Sequence, residues 1–111
     1  MALPLFGWLY LYGEGVVPRD LQKSKRLFIS AAQQKYKWAF FDLAMWHAHG
    51  QGKQPDYVEV LKWVIVDRRI GTGSVAATFF RKKAMKHLTK AQVAEAKRRA
   101  AAWLKAHSET P

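Results

Sequence analysis

Residues 2–16 read A-L-P-L-F-G-W-L-Y-L-Y-G-E-G-V, and thirty-seven positions later residues 39–53 read A-F-F-D-L-A-M-W-H-A-H-G-Q-G-K. Ala2 returns as Ala39, Phe6 as Leu43, Gly7 as Ala44 and Tyr10 as His47, while Gly13 and Gly15 return as Gly50 and Gly52. Beyond the glycines the register becomes thirty-six, pairing Ser24 with Val60, Leu27 with Trp63 and Lys35 with Gly71. A third copy opens at Val75 and Phe79 and soon loses the pattern. Self-similarity at this period is the signature of a stacked helical repeat, in which each unit buries its apolar side only against its neighbours.

Each unit reads as two helices. Ala2, Leu5, Phe6, Leu9 and Tyr10 recur at the spacing of one helical face. Gly13 ends that helix, because glycine enters the left-handed conformation after a helix end at least cost. Asp20 caps a second helix with an apolar side of Leu21, Ser24, Leu27, Phe28, Ala31 and Ala32. In the second unit Asp56 and Glu59 form a D-x-x-E capping pattern ahead of the stripe Tyr57, Val60, Leu61, Val64 and Ile65. Near the end of the chain Thr89 and Gln92 form a T-x-x-Q box. It precedes a long helix with Val93, Ala96, Ala100, Trp103, Leu104 and His107 on one side. No run alternates with period two, so the fold class is all-α. The expected organisation is one domain over 1–107, with repeat one over about 2–35 and repeat two over about 36–71. A degenerate repeat and a capping helix follow over about 72–107, then a flexible tail at 108–111.

The residues quoted above resemble the Sel-one-like repeats (SLR), a branch of the tetratricopeptide-like family. The family pattern A-x-x-x-L-G-x-L-Y-x-x-G-x-G-V, then x-x-D and a closing A-A, is met by Ala2, Phe6, Gly7, Leu9, Tyr10, Gly13, Gly15, Val16, Asp20, Ala31 and Ala32. The second copy matches at Ala39, Leu43, Ala44, Gly50 and Gly52, and departs at Trp46, His47 and Lys53, where Leu, Tyr and Val are usual. The resemblance implies an α/α right-handed solenoid of about two helix-turn-helix repeats with a C-terminal capping helix. It also implies an adaptor or scaffold role, of the kind bacterial members often have in signalling, secretion or host contact.

Little here supports catalysis. The chain has no cysteine, which removes thiolate metal sites, disulfides and Cys nucleophiles. His47 and His49 stand two apart and face different sides of a helix; His47, at a tyrosine position, reads as packing. Gly13-Glu14-Gly15 and Gly71-Thr72-Gly73 lack the third glycine and preceding strand of a phosphate loop. The expectation is no enzyme, no cofactor and no metal.

Charge and aromatics point to binding. The 111 residues carry 19 Lys and Arg against 8 Asp and Glu, a formal charge of +11. Most of it lies between Arg81 and Lys105, where Arg81, Lys82, Lys83, Lys86, Lys97 and Arg98 stand out and Glu95 is the one acid. Such a field accelerates encounter with anionic partners. First helices line the inner curve of a helical repeat, where Trp8, Tyr12, Phe41, Met45 and His49 form a surface rich in interface-anchoring residue types. The favoured partner is another protein with an acidic surface, steered in by the basic helix. The alternatives are nucleic acid or an anionic membrane held by the basic face, and a small immunity-type role in neutralising a toxin.

The opening helix carries an apolar face without polar cover, so a further repeat, the partner or a second copy in a homodimer is expected to shield it. The Ala2–Tyr12 stretch is too short to span a membrane and lacks the flanks of a signal peptide. No transmembrane segment is expected; the compartment stays open, with the cytoplasm as default.

Overall fold

The computed structural model describes residues 21–49 and 54–107, and these form five helices and no strand. They are α1 (Leu21–Gln33), α2 (Ala39–His49), α3 (Tyr57–Ile70), α4 (Val75–Lys86) and α5 (Lys90–His107). None of them is long and apolar enough to cross a membrane.

Local chemistry sets their ends. Asp56 accepts a hydrogen bond from the Glu59 N–H at 3.2 Å, so the D-x-x-E cap forms in its forward direction. The Glu59 carboxylate does not reach back; it is engaged by cations instead. The T-x-x-Q box ahead of α5 closes in both directions, Gln92 N–H to Thr89 Oγ1 at 3.1 Å and Thr89 N–H to Gln92 Oε1 at 2.8 Å. Ser74 caps α4 through the Ala77 N–H.

Two helix exits show why the repeat is not perfectly regular. At the end of α1, Lys35 adopts φ 60°, while its N–H reaches Ala32 O and the Tyr36 N–H reaches Ala31 O. This is the double bond of a Schellman ending, with lysine where glycine is cheapest. At the equivalent exit of α3 the chain has Gly71, and a buried carboxylate organises the turn. Asp67 accepts from the N–H groups of Thr72 and Gly73 and from the Thr72 hydroxyl, all between 3.0 and 3.1 Å. A Cβ on Gly71 would collide with that carboxylate.

The helices stack around α3, which packs against α2, α4 and α5. Val60, Leu61, Trp63, Val64, Val66 and Asp67 are all buried, a broader arc than the stripe anticipated from Tyr57, Val60, Leu61, Val64 and Ile65. Three rings lock the stack: Phe40 of α2 lies 6.4 Å from Trp63 of α3, and both meet the edge or face of Trp103 on α5 at 5.5 Å. Alanines let the backbones close in around them. Ala31 and Ala32, Ala39 and Ala44, Ala77 and Ala84, and Ala96 and Ala100 are all fully buried.

The third copy departs from the second in its packing. Ala39 and Leu43 are fully buried, but Val75 and Phe79, thirty-six positions on, are 87% and 62% exposed. Their helix instead buries Ala77 and Ala84. α4 lies against α3 and α2, α5 lies against α3, and α4 and α5 make little contact with each other.

Two substitutions test this account. Phe40→Ala removes the ring shared by α2, α3 and α5 and is expected to lower unfolding free energy by about 3–5 kcal/mol in urea titration. Lys35→Gly relieves a left-handed residue with a Cβ and is expected to raise stability by about 1 kcal/mol, as a higher urea midpoint at unchanged slope.

Candidate functional site

α2 and α4 are the first helices of successive units and pack side by side. On α2, Phe41, Met45 and His49 stand four residues apart and so share a face. Phe41 and Met45 are half-buried and His49 is exposed. The Phe41 ring meets Phe80 of α4 edge-on at 5.8 Å, and Phe80 meets its neighbour Phe79 at 5.6 Å. A ladder of three rings thus runs from the packed interior to solvent and ends in exposed Phe79. Val75, one turn earlier, extends the apolar surface.

Phe79 and Phe80 were not anticipated here, because the repeat register places Phe79 over buried Leu43. The adjacent pair of phenylalanines in an otherwise decayed copy was the available signal. Trp8 and Tyr12, the other members of the anticipated surface, lie outside the described residues, as do Gly7, Tyr10, Gly13, Gly15, Gly50 and Gly52. So does the opening helix on which the homodimer expectation rests.

The basic segment is less uniform than its sequence. Lys82, Lys83, Lys86, Lys97 and Arg98 are exposed, and Arg81 is half-buried. Arg98 grips Glu95 through Nη2 at 2.6 Å, and Arg99 bridges Glu95 and Glu59, each at 2.8 Å. Hydrogen bonds from Arg99 and Arg98 hold the Glu95 carboxyl below its ordinary value. Glu59 comes from α3, forty residues away in sequence, so part of the basic field is neutralised by a helix that charge counting along the segment cannot see. Arg81 and Lys97 instead line one cavity together with Arg68 and Arg69 of α3.

Glu59 centres a second network, with Lys62 at 3.4 Å and His47 at 3.9 Å. Burial alone would raise its carboxyl, but the Arg99 hydrogen bond and the nearby Lys62 charge outweigh that and hold it below the usual carboxylate range. His47 is 7% exposed and covered by the Trp46 ring at 5.1 Å, which in turn carries the Lys25 ammonium at 5.3 Å. Burial lowers its pKa from 6.5 to about 4 despite the neighbouring Glu59. At neutral pH His47 is therefore uncharged, and Lys62 and Arg99 balance the Glu59 charge. Among the described residues no group of three or more His, Asp or Glu could hold a metal ion. The Gly71-Thr72-Gly73 loop takes its shape from Asp67.

A pH dependence follows. Between pH 6.5 and 4 the unfolded chain binds a proton at His47 that the folded chain refuses, so stability falls as pH falls through that window. The loss attributable to His47 is expected to be about 3 kcal/mol. His47→Tyr, which restores the residue type of Tyr10, is expected to flatten the pH profile of the urea midpoint between pH 7 and 4. An unchanged profile would contradict the buried, neutral imidazole.

No family model matches the chain, and no curated protein matches it. Among solved structures, a protective antigen present in uropathogenic Escherichia coli strains, displaying an SLR fold, superposes with a TM-score of 0.82 and 24% sequence identity. The match covers 96% of this chain and 22% of that protein, so the chain spans about a fifth of the antigen's length. The likeness shows the fold: the chain has an SLR-type α/α solenoid, as its resemblance to the Sel-one-like repeats implied.

Proposed function

We propose that this chain is a non-enzymatic protein-interaction module that binds its partner on the first-helix face of the solenoid. Phe41, Met45 and His49 of α2, extended by Phe79 and Phe80 of α4, form the contact surface. The basic stretch Arg81–Lys105 steers in a partner with an acidic surface. The observation that carries this reading is the aromatic ladder Phe41–Phe80–Phe79, which leaves a large apolar ring 62% exposed at its outer end. Exposed aromatic surface continuous with a packed core is the usual composition of a binding anchor. The shared fold with a large SLR antigen supports the same category, because stacked helical repeats present extended concave surfaces.

The competing reading is nucleic-acid binding by the basic stretch, and it predicts opposite behaviour. Charge-driven binding to phosphates falls steeply with salt and ignores Phe41 and Phe79. The ion pairs of Arg98 and Arg99 with Glu95 and Glu59 weigh against it, since they occupy two of the segment's cations.

Affinity capture with the native chain and with a Phe41→Ala, Phe79→Ser double variant separates the two. The expected result is a protein retained by the native chain and lost from the variant, whose helical circular dichroism is unchanged. Equal retention by both, or recovery only of nucleic acid released by salt, would overturn the proposal.

A further inference from the structure

The gap left between α4 and α5 is a lined groove. With α5 packed on α3 and little contact between α4 and α5, a cavity of about 440 Å³ opens between the two helices with α3 beneath. Its floor is apolar: Leu61 and Ile65 from α3, Met85 from α4 and Val93 from α5. Its remaining lining residues are all cations, Arg68 and Arg69 from α3, Arg81 from α4 and Lys97 from α5. No acidic residue lines it, and no carboxylate among the described residues pairs with any of the four. The groove continues past Met85, Val93 and Lys97 into a second cavity of about 440 Å³ bordered by Leu88, Ala94 and another cation, Lys90.

Four like charges from three helices around one apolar floor repel one another and leave apolar surface wet. Packing of α4 and α5 for stability alone gains nothing from that arrangement. The combination is resolved by an occupant with an apolar stripe flanked by carboxylates. The guanidinium fork suits carboxylates, which it can hold in bidentate fashion. The trough is open and elongated, bounded by two helices, and this favours a length of polypeptide lying along it, as amphipathic helices lie in hydrophobic grooves. A single acyl chain would call for a more enclosed cavity that buries most of the ligand surface.

We infer that the α3–α4–α5 groove docks an acidic amphipathic helix of a partner protein, with its apolar stripe on Leu61, Ile65, Met85 and Val93 and its carboxylates on Arg68, Arg69, Arg81 and Lys97. The inference builds on the acidic-partner part of the functional reading and places that contact on a surface distinct from the aromatic ladder.

The test uses the full chain and a synthetic probe: a fluorescein-labelled helical peptide with leucines at i, i+3, i+4 and i+7 and glutamates on both flanks. Its control is a peptide of identical composition with the leucine spacing scrambled. Binding is read by fluorescence anisotropy at moderate salt. The patterned peptide is expected to bind and the scrambled one to bind at least tenfold more weakly. Arg68→Gln, Arg69→Gln and Lys97→Gln together, all at exposed positions, are expected to weaken binding about tenfold. Met85→Asp, at a partly exposed floor position, is expected to abolish it while the circular dichroism spectrum and urea midpoint hold.

The Phe41→Ala, Phe79→Ser variant is expected to bind the peptide like the native chain. Loss of peptide binding in that variant, with the groove variants unaffected, would overturn the groove and leave the aromatic surface standing. Equal binding of patterned and scrambled peptides would reduce the groove to nonspecific attraction and overturn the inference. So would displacement of the peptide by vesicles of anionic phospholipid but not by excess unlabelled peptide.

Discussion

The structure depends on one helix being buried on three sides. α3 receives α2, α4 and α5, and the ring contacts among Phe40, Trp63 and Trp103 join the first and last of these partners through it. Concentrating three large aromatics at one junction lets α3 hold both α2 and α5. Alanines at the helix contacts complete the arrangement. Small side chains bring backbones close, and the aromatics fill the space between the layers.

That junction also decides what stays open. Because α5 is drawn onto α3 by Trp103, Ala96 and Ala100, it does not close against α4. The cleft between them and the exposed Val75–Phe79 side of α4 are two consequences of the same choice of partner. A regular third repeat would bury positions 75 and 79 as Ala39 and Leu43 are buried. Losing the repeat frees apolar surface on one side and an arginine-rimmed trough on the other. Decay of the third unit thus creates two surfaces that a perfect repeat would have consumed.

Electrostatics follows the same geometry. The chain's excess of positive charge is divided by Glu59 and Glu95, which bind Arg98, Arg99 and Lys62, from the groove cations that no carboxylate among the described residues meets. Glu59 stays ionised although half-buried because two cations converge on it, and His47 beside it is kept neutral by burial. Acid therefore loosens the α2–α3 packing at His47.

Much of the architecture was legible in the chain. The echo of residues 2–16 at 39–53, the period near thirty-six and the capping residues Asp56, Thr89 and Gln92 determine an α/α repeat and its helix starts, because caps and 3.6-residue periodicity are local properties. Residue spacing also identified the side of α5 that packs, through Val93, Ala96, Ala100 and Trp103. Tertiary structure alone decided which face of α4 turns inward, that Asp67 would be buried to shape the turn at Gly71, that Glu59 would capture Arg99 from forty residues away, and that Arg68, Arg69, Arg81 and Lys97 would share one groove. Each of those depends on distances between helices rather than along them. A linear pattern records which side of a helix is apolar, and only packing determines which neighbour that side meets.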